Sequence, residues 1–372
     1  MKIKLLIAAF FVFPIIFVSC GGKKGNSYSL EDTPPIIIDV DSIKKEPLKI
    51  SKLKYIPLET TSECIIGYAD KVLIKNDKLY VADITQADAL FVFDLNGKFL
   101  FKIAKKGNGP GEYVTFMDFD VLPNGDIYMW DISTKKIIVY DQSGEYKKDI
   151  KIPRMSNFYV LENKIYLSRV SGLKGDISVN LAVYNMDNEK IDTILKNDEP
   201  IDNISLPNHS GNYGFYQSPS NIYYSPKFSP IIYSIDKDGV RPAIGIKNLN
   251  MPTKAIVDEW LKSGNIFADT KSGYFLENAR IYETDRHIAF VCVVGHFSDV
   301  YMYDKHTQHV CRYDMSESIG ASDVSGSTGK EFFSVVNFWL RSEAHKKILE
   351  TYEELANWKE DDNPVIAIFN LE

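Results

Sequence analysis

The sequence predicts an all-β fold: a six-bladed β-propeller of four-stranded antiparallel blades, with one or two short helices inserted near the C-terminal half. Three observations predict it. The chain repeats itself, because the stretch Lys71 to Ala104 (KVLIKNDKLYVAD, then ALFVFDLNGKFLFKIA) aligns with Phe119 to Ile152 (FDVLPNGDIYMWD, then KIIVYDQSGEYKKDIKI). Tyr80 matches Tyr128, Asp83 matches Asp131 and Asp94 matches Asp141, a period of 47–48 residues that suits one propeller blade. Each copy breaks into four short apolar–polar runs at turn residues: Asn76-Asp77, Leu95-Asn96-Gly97, Pro123-Asn124-Gly125 and Ser143-Gly144. Finally, aromatic residues make up 13% of the chain, with 22 Tyr and 21 Phe, and such side chains favour a pleated, half-buried surface.

The elements follow in order. Lys2 and Lys4 precede the apolar run Leu5 to Phe17, which is interrupted by Pro14 and too short to span a membrane stably. Residues 1–19 therefore read as an export signal. The small, polar, cationic stretch Gly21 to Leu30 reads as part of a flexible tether over residues 20–34, leaving 35–372 for the propeller. Weaker copies of the repeat run from Phe158 to Leu195, Ile222 to Ile246 and Ala279 to Asp314, which brings the readable blades to five. A sixth must be assembled from Leu48–Leu58 and Pro364–Leu371, two strand-like segments without local partners. Sharing a blade between the chain ends closes the ring and removes exposed strand edges. Helical periodicity occupies Thr253–Lys262 and Leu340–Trp358. In the second, Ile348, Tyr352 and Leu355 share one face, as expected of a helix packed across one side of the disc.

Composition excludes some functions. A formal charge of −7 with 45% hydrophobic and 25% charged residues describes a globular chain with no basic surplus for nucleic acid. Gly107-Asn108-Gly109-Pro110-Gly111 lacks the Lys-Ser/Thr and the following helix of a phosphate loop. His306 and His309 sit in a turn where no Cys or third His is expected in register. Asp236-Lys237-Asp238-Gly239 lacks the distal Glu of a calcium loop and reads as a hairpin turn. Cys292 and Cys311 fall on strands separated by a third, about 9–10 Å apart, which predicts buried free thiols. No cofactor and no bound metal are expected.

Connections within a blade alternate between the two faces of the disc. Here the first–second and third–fourth hairpins are short, whereas Ile84–Asp88, Lys105–Phe116, Arg169–Ser178 and Asn197–Tyr213 are longer and share one face. Loops on a rigid scaffold concentrate binding residues, so the candidate ligand face comprises Asp83, Asp88, Tyr113, Trp130, Asp131, Arg154 and Arg169. Asp83 and Asp131 have a second reading as aspartates that cap the strand-to-loop turn through backbone N–H groups. They also suggest a carboxylate ring at the channel mouth, although Ser168 and either Ser225 or Pro226 stand at the corresponding places of the third and fourth blades.

Several segments carry a family resemblance: Phe17-Val18-Ser19-Cys20, Tyr55–Glu63 (YIPLETTSE), Leu90–Leu100 (LFVFDLNGKFL), Lys105–Tyr113 (KKGNGPGEY) and Asp361–Leu371 (DDNPVIAIFNL). In these the chain resembles the six-bladed propeller lipoproteins of Bacteroidetes, related in blade style to NHL and TolB-like repeats. The resemblance implies cleavage before Cys20, lipid attachment at Cys20 and anchorage to the outer membrane. Lys23 and Lys24, standing where surface-exported lipoproteins carry acids, favour the periplasmic side. The expected function is protein or glycan binding through the long-loop face. The alternative is a metal-assisted hydrolase or lyase at the mouth of the central channel.

Overall fold

The structure, a computed structural model, describes residues 34–40, 43, 45–170, 179–196, 214–218, 222–226, 229–248, 250–263, 280–294, 297–337 and 343–372. The expected signal, tether and Cys20 lie outside these residues, as do most of the loops at 169–178 and 197–213.

The N-terminal part of the propeller supplies three strands, β1 (Ile36–Asp39), β2 (Lys45–Pro47) and β3 (Ile50–Pro57). Five blades of consecutive strands then follow the repeat. Blade one holds β4 (Lys71–Lys75), β5 (Lys78–Asp83), β6 (Ala89–Asp94) and β7 (Phe99–Ile103). Blade two holds β8 (Phe116–Val121), β9 (Ile127–Asp131), β10 (Lys136–Tyr140) and β11 (Tyr146–Lys151). Blade three holds β12 (Asn157–Leu161), β13 (Lys164–Val170), β14 (Val179–Asn185) and β15 (Lys190–Lys196). Blade four holds β16 (Phe215–Gln217), β17 (Ile222–Tyr224), β18 (Ile231–Asp236) and β19 (Gly239–Lys247). Blade five holds β20 (Arg280–Glu283), β21 (His287–Val294), β22 (Phe297–Asp304) and β23 (Val310–Asp314). Blade six combines β24 (Gly326–Ser327), β25 (Phe332–Val336) and β26 (Val365–Leu371) with β3, in that order, so the chain ends close the ring as expected.

Local chemistry explains the hairpins and the closure. Asn76 and Asp77 both take positive φ (51° and 58°), which the two-residue turn between β4 and β5 requires. Gly97, at φ 81°, lies so near the closing blade that a Cβ there would stand 2.1 Å from the Pro57 carbonyl. Asn363 fastens the two chain ends. Its side chain accepts from the Ile66 N–H and donates to the carbonyls of Glu59 and Cys64, at 2.7–2.9 Å.

The apolar clusters lie between neighbouring blades, so the middle strands are covered on both faces. Leu79–Asp83, Ala89–Phe93 and Ile127–Asp131 are accordingly buried without alternation, while the outer strand β11 is mostly exposed. Cys64, Cys292 and Cys311 are buried free thiols, with β22 between the last two.

Two features depart from the expectation. β1 and β2 add to blades four and five as fifth strands, parallel to β19 and β23. The stretches IIID and KEP carry no alternation that would announce them, and the unpaired outer edges of those blades recruit them. The predicted helix over 340–358 is also shorter: α3 spans Glu343–Thr351, after α1 (Lys254–Ser263) and α2 (Ser316–Ile319). Tyr352 is extended (φ −106°, ψ 116°), with its ring edge-on to Tyr55, and a 3-10 turn follows over Glu353–Leu355. The predicted stripe still docks, since Ile348 and Leu355 are buried. Among the described residues no helix is long and apolar enough to cross a membrane.

Candidate functional site

The first strand of each blade lines the central channel, and neighbouring inner strands touch around the ring. Their inward positions carry charge. In β8, Asp118 and Asp120 lie two residues apart and so share a face. Asp118 pairs with Lys71 of blade one at 2.7 Å and accepts the Phe158 N–H of blade three at 3.1 Å. One layer along, Asp120 pairs with Lys75 at 2.7 Å and accepts the Val160 N–H at 3.0 Å. Each lysine also donates to a β8 carbonyl, Phe119 or Val121. The two carboxylates therefore staple three blades together. Burial pushes the Asp118 carboxyl up in pKa, opposed by the Lys71 ammonium and by the Phe158 and Phe119 N–H groups.

On the opposite side of the channel, Arg280 pairs with Asp323 at 2.8 Å, and Glu283 holds Lys305 at 2.8 Å and the Tyr223 hydroxyl at 3.0 Å. The Tyr216 and Tyr282 rings meet edge to face, their centroids 5.6 Å apart. Between these groups lies a cavity of about 140 Å³. Blade one contributes Tyr68, Asp70 and Lys71 to its wall, blade four Tyr216 and Gln217, and blade five Arg280 and Tyr282. Blade six contributes Ser322, Asp323 and Asn337. Tyr68 and Ser322 precede inner strands and Asn337 follows β25, which places the cavity at the long-loop end of the channel. Tyrosine hydroxyls, an amide pair and an anchored guanidinium offer donors and acceptors around aromatic rings. No histidine or cysteine belongs to the described wall.

The residues singled out from sequence lie elsewhere. Asp83 is fully buried and accepts the N–H groups of Gly67, Tyr68, Gln86 and Ala87 at 2.7–3.0 Å. Asp131 does the same in blade two, accepting from Val114, Thr115 and Ser133 N–H and from the Thr134 hydroxyl. Both tie the loop before the inner strand to the turn after the second strand, which is the capping reading and not a carboxylate ring. Ser168 plays a smaller version of that part, since its hydroxyl bonds both backbone groups of Asn157. The Tyr113 hydroxyl donates to the carbonyls of Asp88 and Ile103, and the Asp88 carboxylate pairs with Lys106 at 2.8 Å. Trp130 is fully buried between blades two and three, and its indole N–H has no partner among the described residues. Arg154 is exposed, whereas Arg169 is half-buried at φ 51° beside the undescribed loop. None of the seven lines the cavity.

The missed signal is charge on one face of the inner strands, in KVLIK and FMDFDV, and the arginine that opens RIYE. A second correction concerns His309, which was expected to have no cysteine in register. Its ring, the Cys311 sulfur and the Glu46 carboxylate lie within 4.8 Å of one another. The recruited strand β2 brings Glu46 there.

Comparison with known proteins places this fold among bacterial relatives. The structure of an exported protein from Bacteroides fragilis superposes with a TM-score of 0.73 at 19% identity, covering 91% of this chain and 99% of that one. A member of the DUF4221 family from Bacteroides vulgatus superposes at 0.58 with 11% identity, covering 87% of this chain and 98% of that one. No curated protein matches the sequence. A family model described as a domain of unknown function, DUF4934, matches residues 35–370, and the chain belongs to that family as a six-bladed propeller.

Proposed function

We propose that the protein is an exported, lipid-anchored binding module of the cell envelope that takes a saccharide unit at the long-loop end of its channel. The cavity carries this reading. At about 140 Å³ it is smaller than the roughly 300–1,000 Å³ sites of drug-sized ligands, so it suits one small polar group. Its tyrosines offer ring faces to sugar C–H groups, and Gln217, Asn337, Ser322 and Arg280 offer partners to hydroxyls. The buried Lys–Asp staples give that wall a rigid frame. The apolar run ahead of Cys20 and the exported relative from Bacteroides fragilis support the envelope address, and the position of Lys23 and Lys24 supports the periplasmic side.

The test is an array of envelope and dietary glycans probed with the full chain, followed by calorimetry on each hit. Saccharide binding that weakens at least about tenfold in both Gln217→Ala and Tyr68→Ala supports the reading. Binding of proteins only, or saccharide binding untouched by both substitutions, overturns it. Mass analysis of the native N-terminus tests the anchor: a diacylglyceryl thioether on Cys20 is expected, and an unmodified Cys20 would refute it.

A further inference from the structure

Strand β2 reaches blade five from the far end of the chain. It pairs in parallel with β23, Lys45 facing Arg312, Glu46 facing Tyr313 and Pro47 facing Asp314. Positions 309, 311 and 313 alternate onto one side of β23, the side that Glu46 shares through its pairing with Tyr313. One imidazole nitrogen, one thiol sulfur and one carboxylate oxygen thus converge within 4.8 Å. Cys311 is buried, and the side chains of Glu46 and Tyr313 lie beside its thiol.

We propose that Glu46, His309 and Cys311 bind a zinc ion, and that the ion clips the N-terminal strap to the rim of blade five. Sulfur, nitrogen and oxygen donors together suit this borderline-soft cation. Zinc bonds of about 2.0–2.3 Å in a tetrahedron hold their donors about 3.5 Å apart. The site therefore closes by a contraction of no more than about 1.3 Å, within reach of the Glu46 side chain. Three protein ligands leave one position for water. On binding, the Cys311 thiol gives its proton to solvent and the thiolate bonds the metal. Thiolate and carboxylate then balance the two positive charges of the ion. The Tyr313 side chain, two residues along on the same side of β23, stands beside the sulfur as an outer neighbour. A strap held by only three paired residues gains most from such a clip.

The experiment uses the full chain, reduced and stripped of metal, titrated with Co²⁺ as a spectroscopic stand-in. One equivalent should produce a thiolate-to-cobalt charge-transfer band with tetrahedral ligand-field bands, and Zn²⁺ should displace it. Cys311→Ser should abolish the charge-transfer band. Glu46→Gln and His309→Ala should each weaken Zn²⁺ binding by at least the roughly 10- to 100-fold that outer-shell changes cost. Hydrogen exchange should slow at the β2 amides when Zn²⁺ is added to wild type, and not in Glu46→Gln. That variant alters an exposed strand at the rim, so it tests the site even if Cys311→Ser misfolds. A folded wild type without the charge-transfer band, or a band that survives Cys311→Ser, overturns the site. Unchanged zinc affinity in Glu46→Gln overturns the clip.

Discussion

Replacing Asp131 with alanine separates a structural staple from a ligand residue. The carboxylate is fully buried and accepts the N–H groups of Val114, Thr115 and Ser133 at 2.9–3.1 Å, and the Thr134 hydroxyl at 2.7 Å. Hydrogen bonds to a charged group contribute about 1.5–3 kcal/mol each, but the turn residues Ser133 and Thr134 are exposed and their donors rehydrate. At about 1 kcal/mol per lost bond, Asp131→Ala should cost about 4 kcal/mol, and Asp131→Asn, which keeps one acceptor oxygen, about half that. Equilibrium urea unfolding reads the loss as a lower midpoint at unchanged slope. The pH dependence follows. Burial opposes ionisation of Asp131, yet the bonds from Thr134, Val114, Thr115 and Ser133 outweigh it and hold its carboxyl below the usual range. A lowered folded pKa stabilises above the unfolded value of about 3.9, and that stabilisation is lost as pH falls. The gap between wild type and Asp131→Asn should therefore persist from neutral pH down to about 4 and narrow below it. A cost under about 1 kcal/mol at neutral pH, the range of an ordinary surface substitution, would refute the staple.

Three other substitutions probe the frame. The Tyr80 hydroxyl is buried without a partner among the described residues, so Tyr80→Phe should leave stability equal or raise it by about 1 kcal/mol; a lower melting temperature would contradict this. Asn363→Ala strands the Ile66 N–H and two carbonyls at the ring closure, and calorimetric melting should show a loss of about 3 kcal/mol. Gly97→Ala places a methyl group against the Pro57 carbonyl at positive φ, and should cost about 3 kcal/mol or more by denaturant titration.

The blades were legible because each is built from local patterns. Turn pairs such as Asn76-Asp77 and short apolar runs such as KLYVAD lie within a few residues of their partners, and the repeat displays them twice. The double burial of the middle strands was less legible, because it depends on neighbouring blades covering both faces. Of the candidate face, the capping role of Asp83 and Asp131 followed from their place at a strand end. Their distance from the cavity did not, since every inward position of the channel is completed by other blades. Lys71 and Asp118 are 47 residues apart, one full period, and neither local run shows that they meet.

Sequence pattern alone establishes the six blades, their hairpins and the ring closure through Leu48–Leu58 and Pro364–Leu371, but not the added strands β1 and β2. Those properties arise from hydrogen bonds and side-chain alternation between near neighbours, or from the general need to cover a strand edge. What lines the channel, and the meeting of Glu46 with His309 and Cys311, follow from how the blades assemble. Closing a ring superimposes residues at separations that no period records. The partner of an inward side chain is set by the geometry of six blades around one axis.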